Sequence, residues 1–184
     1  MSFKITKTAI EGLVLLESRI FKDSRGYFFE SFSYSKISEH GICADFVQDN
    51  VSSSSYGVIR GLHYQLDPFS QSKLLTVLSG KILDVAVDLR KNSATFGKHL
   101  SFEICAGQGQ ILCIPNGFAH GFAALEENTI IHYKCGNYYS PQHERGIVYN
   151  DPDLAIDWKI PASEAIIAER DKAFPRLRDA EMNF

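Results

Sequence analysis

The residues best suited to chemistry lie in 48–73, QDNVSSSSYGVIRGLHYQLDPFSQSK, centred on Arg60-Gly61-Leu62-His63. The amides Gln48 and Asn50, the bases Arg60 and Lys73, His63 and Gln65 fall within about two strands' length, among aromatic and aliphatic residues that suit a barrel wall. Polar groups spaced along strand-like sequence and pointing one way predict a pocket inside a β-structure rather than a surface patch. Its occupant should have a charged part and a reactive part. A lone histidine is ordinarily a hydrogen-bonded core or surface residue. The company of His63 argues for more: Gly61 lets a backbone or ligand approach closely, and Arg60 and Lys73 are costly in a barrel without an anionic partner.

The elements that would position these groups are short strands. Residues 12–18 (GLVLLES) and 27–32 (YFFESF) read as strands separated by a polar turn at 22–26, and 33–40 as a short helix closed by Gly41. Residues 74–89 (LLTVLSGKILDVAVDL) predict a hairpin around Ser79-Gly80, with Leu83, Val85 and Val87 on one face and Asp84 and Asp88 on the other. Residues 100–104 alternate again, 111–114 run into the Pro115-Asn116-Gly117 turn, and 129–135 place Ile131, Tyr133 and Cys135 on one side. The tail from Ser163 reads as short helical turns with Ser163 as N-cap, limited by Pro175. Short strands divided by Gly, Pro and Asn turns, with little helical periodicity, predict an all-β barrel or sandwich. No repeat or linker divides 1–184, so a single domain is expected.

Composition excludes several classes. In 184 residues, 45% hydrophobic and 22% charged is ordinary globular usage. A net charge of −3 offers no electrostatic reason to bind nucleic acid. Cys43, Cys105, Cys113 and Cys135 show neither C-x-x-C nor metal-ligand spacing and read as buried thiols of a reducing compartment. Lys4, Lys7, Glu11, Glu17 and Arg19 interrupt the first 21 residues, which therefore read as neither a signal peptide nor a membrane span. A cytoplasmic protein is expected.

The Pro-x-Gly-x-x-His spacing from Pro115 to His120 resembles the second motif of the cupins, jelly-roll barrels that often hold a metal through histidines and a glutamate. The first cupin motif is broken here. His63-Tyr64-Gln65 offers one imidazole where His-x-His would offer two, and Lys73, which repels a cation, occupies the segment where a carboxylate ligand would fall. No metal is expected.

From about residue 21 to 178 the chain resembles the dTDP-4-dehydrorhamnose 3,5-epimerase family, cofactor-independent members of the cupin superfamily. The likeness rests on DSRGYFFE (23–30), QDNVS (48–52), GVIRGLHYQ (57–65), GKILDVAVD (80–88), IPNGFAHGF (114–122), YKC (133–135) and NDP (150–152) with Trp158. It implies a cupin-type jelly-roll β-barrel with a few short peripheral helices, acting on a dTDP-4-keto-6-deoxyhexose. Both C3 and C5 of that sugar flank the C4 ketone, so removing either proton leaves an enolate. His63 matches the family's base and Asp171 the carboxylate that holds its imidazole. Lys73 matches the group that meets the enolate oxygen, and Tyr133 the acid that protonates from the opposite face. Without the resemblance, Asp171 reads as an exposed tail charge, Lys73 as a solvated loop lysine and Tyr133 as a packing residue.

The remaining matches concern binding. Arg25, Glu30, Gln48, Asn50, Arg60, His120 and Arg170 fall at positions that in the family hold diphosphate, sugar and thymidine, and Asp49 sits within the QDN motif. Arginine grips diphosphate by bidentate charge-assisted bonds, so no glycine-rich phosphate loop is needed. Phe28 and Tyr139 suit stacking on thymine, with Tyr138 the neighbouring alternative, and Glu144 suits closing the pocket. Arg170 stands where the family usually has lysine. Because the family's early strand completes the neighbouring subunit's site, a homodimer with shared sites is expected. Three other readings fit parts of the pattern: a mono-epimerase at C3 or C5 or a ketoisomerase, a metal-dependent cupin oxygenase, and a non-catalytic sugar-nucleotide binding module.

Overall fold

The computed structural model describes residues 3–42 and 45–184. Two antiparallel sheets face each other as a jelly-roll barrel: the strand pattern predicts a barrel or sandwich, and the family resemblance implies the jelly roll. One sheet orders β1 (Phe3–Lys7), β2 (Val14–Ser18), β10 (Gln110–Ile114), β7 (Lys73–Ser79), β12 (Thr129–Cys135) and β5 (Gln48–Ser54). The other orders β13 (Glu144–Gly146), β6 (Val58–Gln65), β11 (Phe118–Ala124), β8 (Lys81–Asp88) and β9 (His99–Cys105), with β14 (Ile166–Ile167) parallel to β6. Between the sheets lie Leu75, Val77, Ile82, Ala86, Ile104, Leu112, Phe118, Phe122 and Ile131. Strand alternation sends the other residues of each strand outward, so each outer face also needs covering. Phe32, Ile37, Ile42 and Phe46, around α1 (Tyr34–Ser38), cover the first sheet. Trp158, Leu177, Met182 and Phe184 of the C-terminal segment cover the second.

Several sequence expectations need correction. Residues 74–89 are not a hairpin: β7 and β8 belong to different sheets, β7 lying between β10 and β12 and β8 between β9 and β11. Ser79-Gly80 does reverse the chain, with Gly80 at φ +73° against Thr129, where a Cβ would have no room. A reversal signal does not say which edges the two strands will find. The alternation within β8 is as expected, but both its faces are buried, one outward under the C-terminal segment and one inside the barrel.

The strand at 27–32 shrinks to β4 (Gly26–Phe28), paired only with β3 (Phe21–Asp23) in an exposed hairpin off both sheets. Among the described residues it pairs with no strand but β3. The strand expected at 12–18 begins at Val14, after a turn with Gly12 at φ +84°, and β1 was not anticipated. Ser163 is no N-cap. Residues 162–164 form a turn, the Ile166 amide then bonds the Gly57 carbonyl, and α2 (Glu169–Lys172) starts after Ala168. Pinning this segment alongside β6 postpones the helix. Cys113 and Cys135 are buried as expected and Cys105 is half-buried, whereas Cys43 lies outside the described residues. No helix among the described residues is long and apolar enough to cross a membrane.

The feature of the fold that matters most for the site is a bulge in β6. His63 faces His120 across the β6–β11 ladder while Arg60 faces Phe122, so three residues of β6 span the length of two on β11. The extra residue puts both Arg60 and His63 on the inner side, which period-two alternation alone forbids. Ile59, Leu62 and Tyr64 pack outward. Only glycine fits at the bulge. Gly61 has φ +124°, and a Cβ there would stand 2.5 Å from the Gly121 Cα and 2.8 Å from the His120 carbonyl oxygen.

Candidate active site

Five strands converge on a cavity of about 250 Å³ between the sheets. Asn50 and Ser52 come from β5, Arg60 and His63 from β6, Lys73 from β7, His120 and Phe122 from β11, and Tyr133 and Cys135 from β12. Along β5 the alternation is strict: Gln48, Asn50, Ser52 and Ser54 turn inward. Gln48 Nε2 donates to Asn50 Oδ1 (3.1 Å), Asn50 Nδ2 to Cys135 Sγ (3.6 Å), and Arg60 Nε to Ser54 Oγ (3.2 Å). Arg60 is held further by the Ser53 carbonyl, 3.0 Å from Nη2.

His63 Nε2 lies 3.0 Å from Asp171 Oδ1, and Asp171 is buried at 2% exposure. The other carboxylate oxygen accepts the Gly61 N–H at 3.1 Å, a donor that the bulge leaves without a ladder partner. Burial opposes ionisation of Asp171. The bonds from His63, Gly61 and Arg170 outweigh it and hold the carboxyl below its ordinary pKa. The same Nε2 also lies 3.2 Å from Arg170 Nη2, so a protonated ring can donate to Asp171 there while a neutral ring can accept from the guanidinium, which only donates. The Phe174 ring meets the imidazole edge-on at 5.7 Å.

Tyr133 stands on the facing wall, because β12 and β6 belong to opposite sheets. Its ring packs against His120 and Phe122, each at 6.4 Å between centroids, and its hydroxyl is 2.7 Å from Ser52 Oγ. Burial pushes the phenol up to about 12. Lys73 is enclosed, with Nζ 3.3 Å from Gln71 Oε1, and burial depresses its ammonium below the ordinary lysine range. Beneath them, His120 Nε2 pairs with Asp84 Oδ2 at 2.8 Å, both groups buried. Asp84 Oδ1 is buried without a hydrogen-bond partner among the described residues.

At the rim, Arg170 ties together several of the expected binding residues. Its Nη1 lies 3.0 Å from Glu144 Oε2, its Nε 3.2 Å from Asp171 Oδ1 and its Nη2 3.2 Å from His63 Nε2. The Tyr139 hydroxyl donates to the same Glu144 oxygen (2.7 Å), and the Tyr139 amide to Gln48 Oε1 (2.9 Å). Tyr139 is thereby tethered at the mouth. Tyr138 is more exposed and contributes its carbonyl to Gln65 Nε2.

Four expected binding residues are not brought to this cavity. The Asp49 carboxylate lies on the outer face of β5, bound by Lys134 Nζ (3.0 Å) and near His132 Nε2 (3.2 Å). Arg25 sits on the hairpin, its Nη2 2.6 Å from Asp23 Oδ2 and its side chain 88% exposed. Phe28 is exposed on the same hairpin, and Glu30 accepts from Lys36 Nζ at 2.6 Å. Conversely, Ser52, Phe122, Cys135 and Asp84 belong to the cavity or its floor without having been singled out. Strand alternation from Asn50 and Tyr133 would have found Ser52 and Cys135. Asp84 carried a signal too, as a carboxylate in an otherwise apolar strand.

With Lys73 in the cavity, the pH profile has a definite sign. An ammonium that stabilises an oxyanion is present below its pKa and lost as pH rises through it. Because that pKa is depressed while the Tyr133 phenol is raised to about 12, the basic limb of kcat/KM should belong to Lys73 and lie below the ordinary lysine value. Lys73→Arg should shift the limb upward, whatever it costs in rate. A limb that stays in place in this variant would assign it to another group.

Known proteins resemble the chain over nearly its whole length. The family model for dTDP-4-dehydrorhamnose 3,5-epimerase matches residues 7–179. The dTDP-4-dehydrorhamnose 3,5-epimerase of Methanothermobacter thermautotrophicus is 43% identical over 178 residues, covering 96% of both chains. The crystal structure of the Elizabethkingia anophelis enzyme of that name superposes with a TM-score of 0.93 at 44% identity, over 97% of this chain and 98% of that one. A Legionella pneumophila dTDP-6-deoxy-D-glucose-3,5-epimerase, solved in complex with dTDP-4-keto-L-rhamnose, gives 0.91 at 42% identity over 96% and 94%. Sequence and fold agree over almost the whole length, and the chain belongs to the dTDP-4-dehydrorhamnose 3,5-epimerase family.

Proposed function

We propose that the chain is an isomerase that converts dTDP-4-dehydro-6-deoxy-D-glucose to dTDP-4-dehydro-L-rhamnose, inverting C3 and C5 in the route to dTDP-L-rhamnose. The observation that carries this reading is the placement of an Asp-held histidine and a tyrosine on opposite walls of one cavity that also encloses a lysine. His63 takes the proton from the carbon beside the ketone, and Asp171 stabilises the imidazolium that results. Charge moves to the C4 oxygen, where the Lys73 ammonium meets it. Tyr133 then delivers a proton to the other face of the same carbon. Although its phenol is a weak acid, a carbanion is a far stronger base than phenolate. Exchange with solvent restores both groups before the second centre reacts. The ketone of the substrate supplies the acidity, so the chemistry requires no cofactor.

Arg60 and Arg170 are suited to the diphosphate, and Gln48, Asn50 and His120 to the sugar and nucleoside, with Tyr139 available to stack on the base. Incubation of the pure protein with dTDP-4-dehydro-6-deoxyglucose in heavy water should yield the L-configured product, deuterated at both C3 and C5 by NMR. One labelled centre would instead identify a mono-epimerase, and none would end the reading.

The working form is a cytoplasmic homodimer of single-domain subunits with shared sites. Arg25, Phe28 and Glu30 lie away from their own cavity, on or beside a hairpin whose Phe21, Tyr27 and Phe28 are exposed. The outer edge of β5, beside the cavity, pairs with no other strand among the described residues. Specific activity should therefore fall on dilution through the dimer's dissociation constant. Full activity in a monomer verified by ultracentrifugation would refute site sharing.

A further inference from the structure

The Tyr133 phenol makes one hydrogen bond among the described residues, to Ser52 Oγ at 2.7 Å, and Ser52 makes no other side-chain bond there. The pairing follows from register. Ser52 stands opposite Ile131 on the neighbouring strand and Tyr133 stands opposite Asn50, so the two hydroxyls meet across a diagonal within reach of an aromatic side chain. The other inward groups of β5 are engaged elsewhere, Asn50 with Cys135 and Ser54 with Arg60. Ser52 alone on that strand reaches the phenol.

Two hydroxyls can share one bond in either direction, and the direction matters for chemistry. If Tyr133 donated to Ser52, its single proton would point along the wall and away from a substrate carbon. If Ser52 donates to Tyr133, the phenolic proton is free to point into the cavity. The donated bond also strengthens as negative charge builds on the phenolic oxygen. Burial resists that charge, and the bond from Ser52 and the field of Arg60 both oppose the resistance.

Building on the epimerase reading, we propose that Ser52 is a positioning residue for the acid: it donates its hydroxyl proton to the Tyr133 oxygen and so directs the phenolic proton at the substrate. In the step itself the Tyr133 O–H bond breaks and the new C–H bond forms, leaving phenolate hydrogen-bonded by Ser52, which keeps its own proton. The imidazolium of His63 loses its proton to solvent, and the phenolate regains one from solvent.

The test separates exchange from inversion. His63 can return a solvent deuteron to the face from which it took a proton, labelling recovered substrate without inverting it; inversion also needs the acid. In heavy water, Ser52→Ala should lose inversion by about 10- to 100-fold, the weight of one hydrogen bond to a developing charge. Deuterium should continue to wash into unconverted substrate, and Ser52→Thr, which keeps the hydroxyl, should recover inversion. The inference is overturned if Ser52→Ala inverts at the parent rate, or if exchange and inversion fall together in both variants, as a packing role would have it. An unaltered protein that neither labels nor inverts overturns the epimerase reading, and this inference with it.

Discussion

His63→Ala should lose about 10²- to 10⁴-fold in turnover, the range for a general base, while nucleotide binding persists. The reasoning rests on how separately the two tasks are held. The imidazole belongs to the proton-transfer apparatus through Asp171, whereas the arginines suited to diphosphate have their own anchors: Arg60 on Ser53 and Ser54, Arg170 on Glu144. The fold should survive the change, because Asp171 keeps the Gly61 amide and Arg170 as partners. The decisive measurement is solvent deuterium at C3 and C5 in both substrate and product. With the base gone, neither position should exchange. Persistent exchange would point to a second base, and His120, in the same cavity but occupied by Asp84, is where to look.

Tyr133→Phe should cost a similar 10² to 10⁴ in inversion but should not abolish exchange. The substitution removes one hydroxyl and leaves the ring, so the packing against His120 and Phe122 is kept. His63 still abstracts a proton and returns deuterium to the same face, and substrate accumulates label without changing configuration. The contrast with His63→Ala is the strongest evidence available for an acid and a base on opposite sides of the ring. If Tyr133→Phe lost exchange and inversion equally, the phenol would be acting on the enolate or on binding instead.

Much of this was legible in the residues. The inward set on β5 and β12 follows from alternation: Asn50, Tyr133 and Cys135 face one way because a strand can only send every second side chain there. A pocket inside a β-structure and its central residues, Arg60 and His63, are likewise read directly from 48–73, whereas Lys73 reads as a loop lysine until the resemblance assigns it. The tail was harder. By composition Asp171 is a surface charge, and only the family resemblance assigned it to His63. The structure brings it 110 residues back along the chain to the amide of Gly61, in the interior.

Where the local reading went astray, it did so for one reason. The turn at Ser79-Gly80 was recognised, yet β7 and β8 went to different sheets. Asp84 was placed on the correct side of its strand, yet that side is the barrel floor. Residues 23–30 form one motif, yet they lie on or just beyond a hairpin away from their own cavity.

The sequence by itself determined which side chains share a face, where the chain turns, and which residue types are present to move protons and hold an anion. These depend on period-two geometry and on turn chemistry, both local. Only the tertiary structure decided which strands became neighbours, that an extra residue at Gly61 would bring Arg60 and His63 to one side, and that His63 and Tyr133 would stand on opposite walls of one cavity. Those outcomes depend on pairings between distant segments, whose free energy comes from burying both faces of each sheet at once, and no window along the chain contains that information.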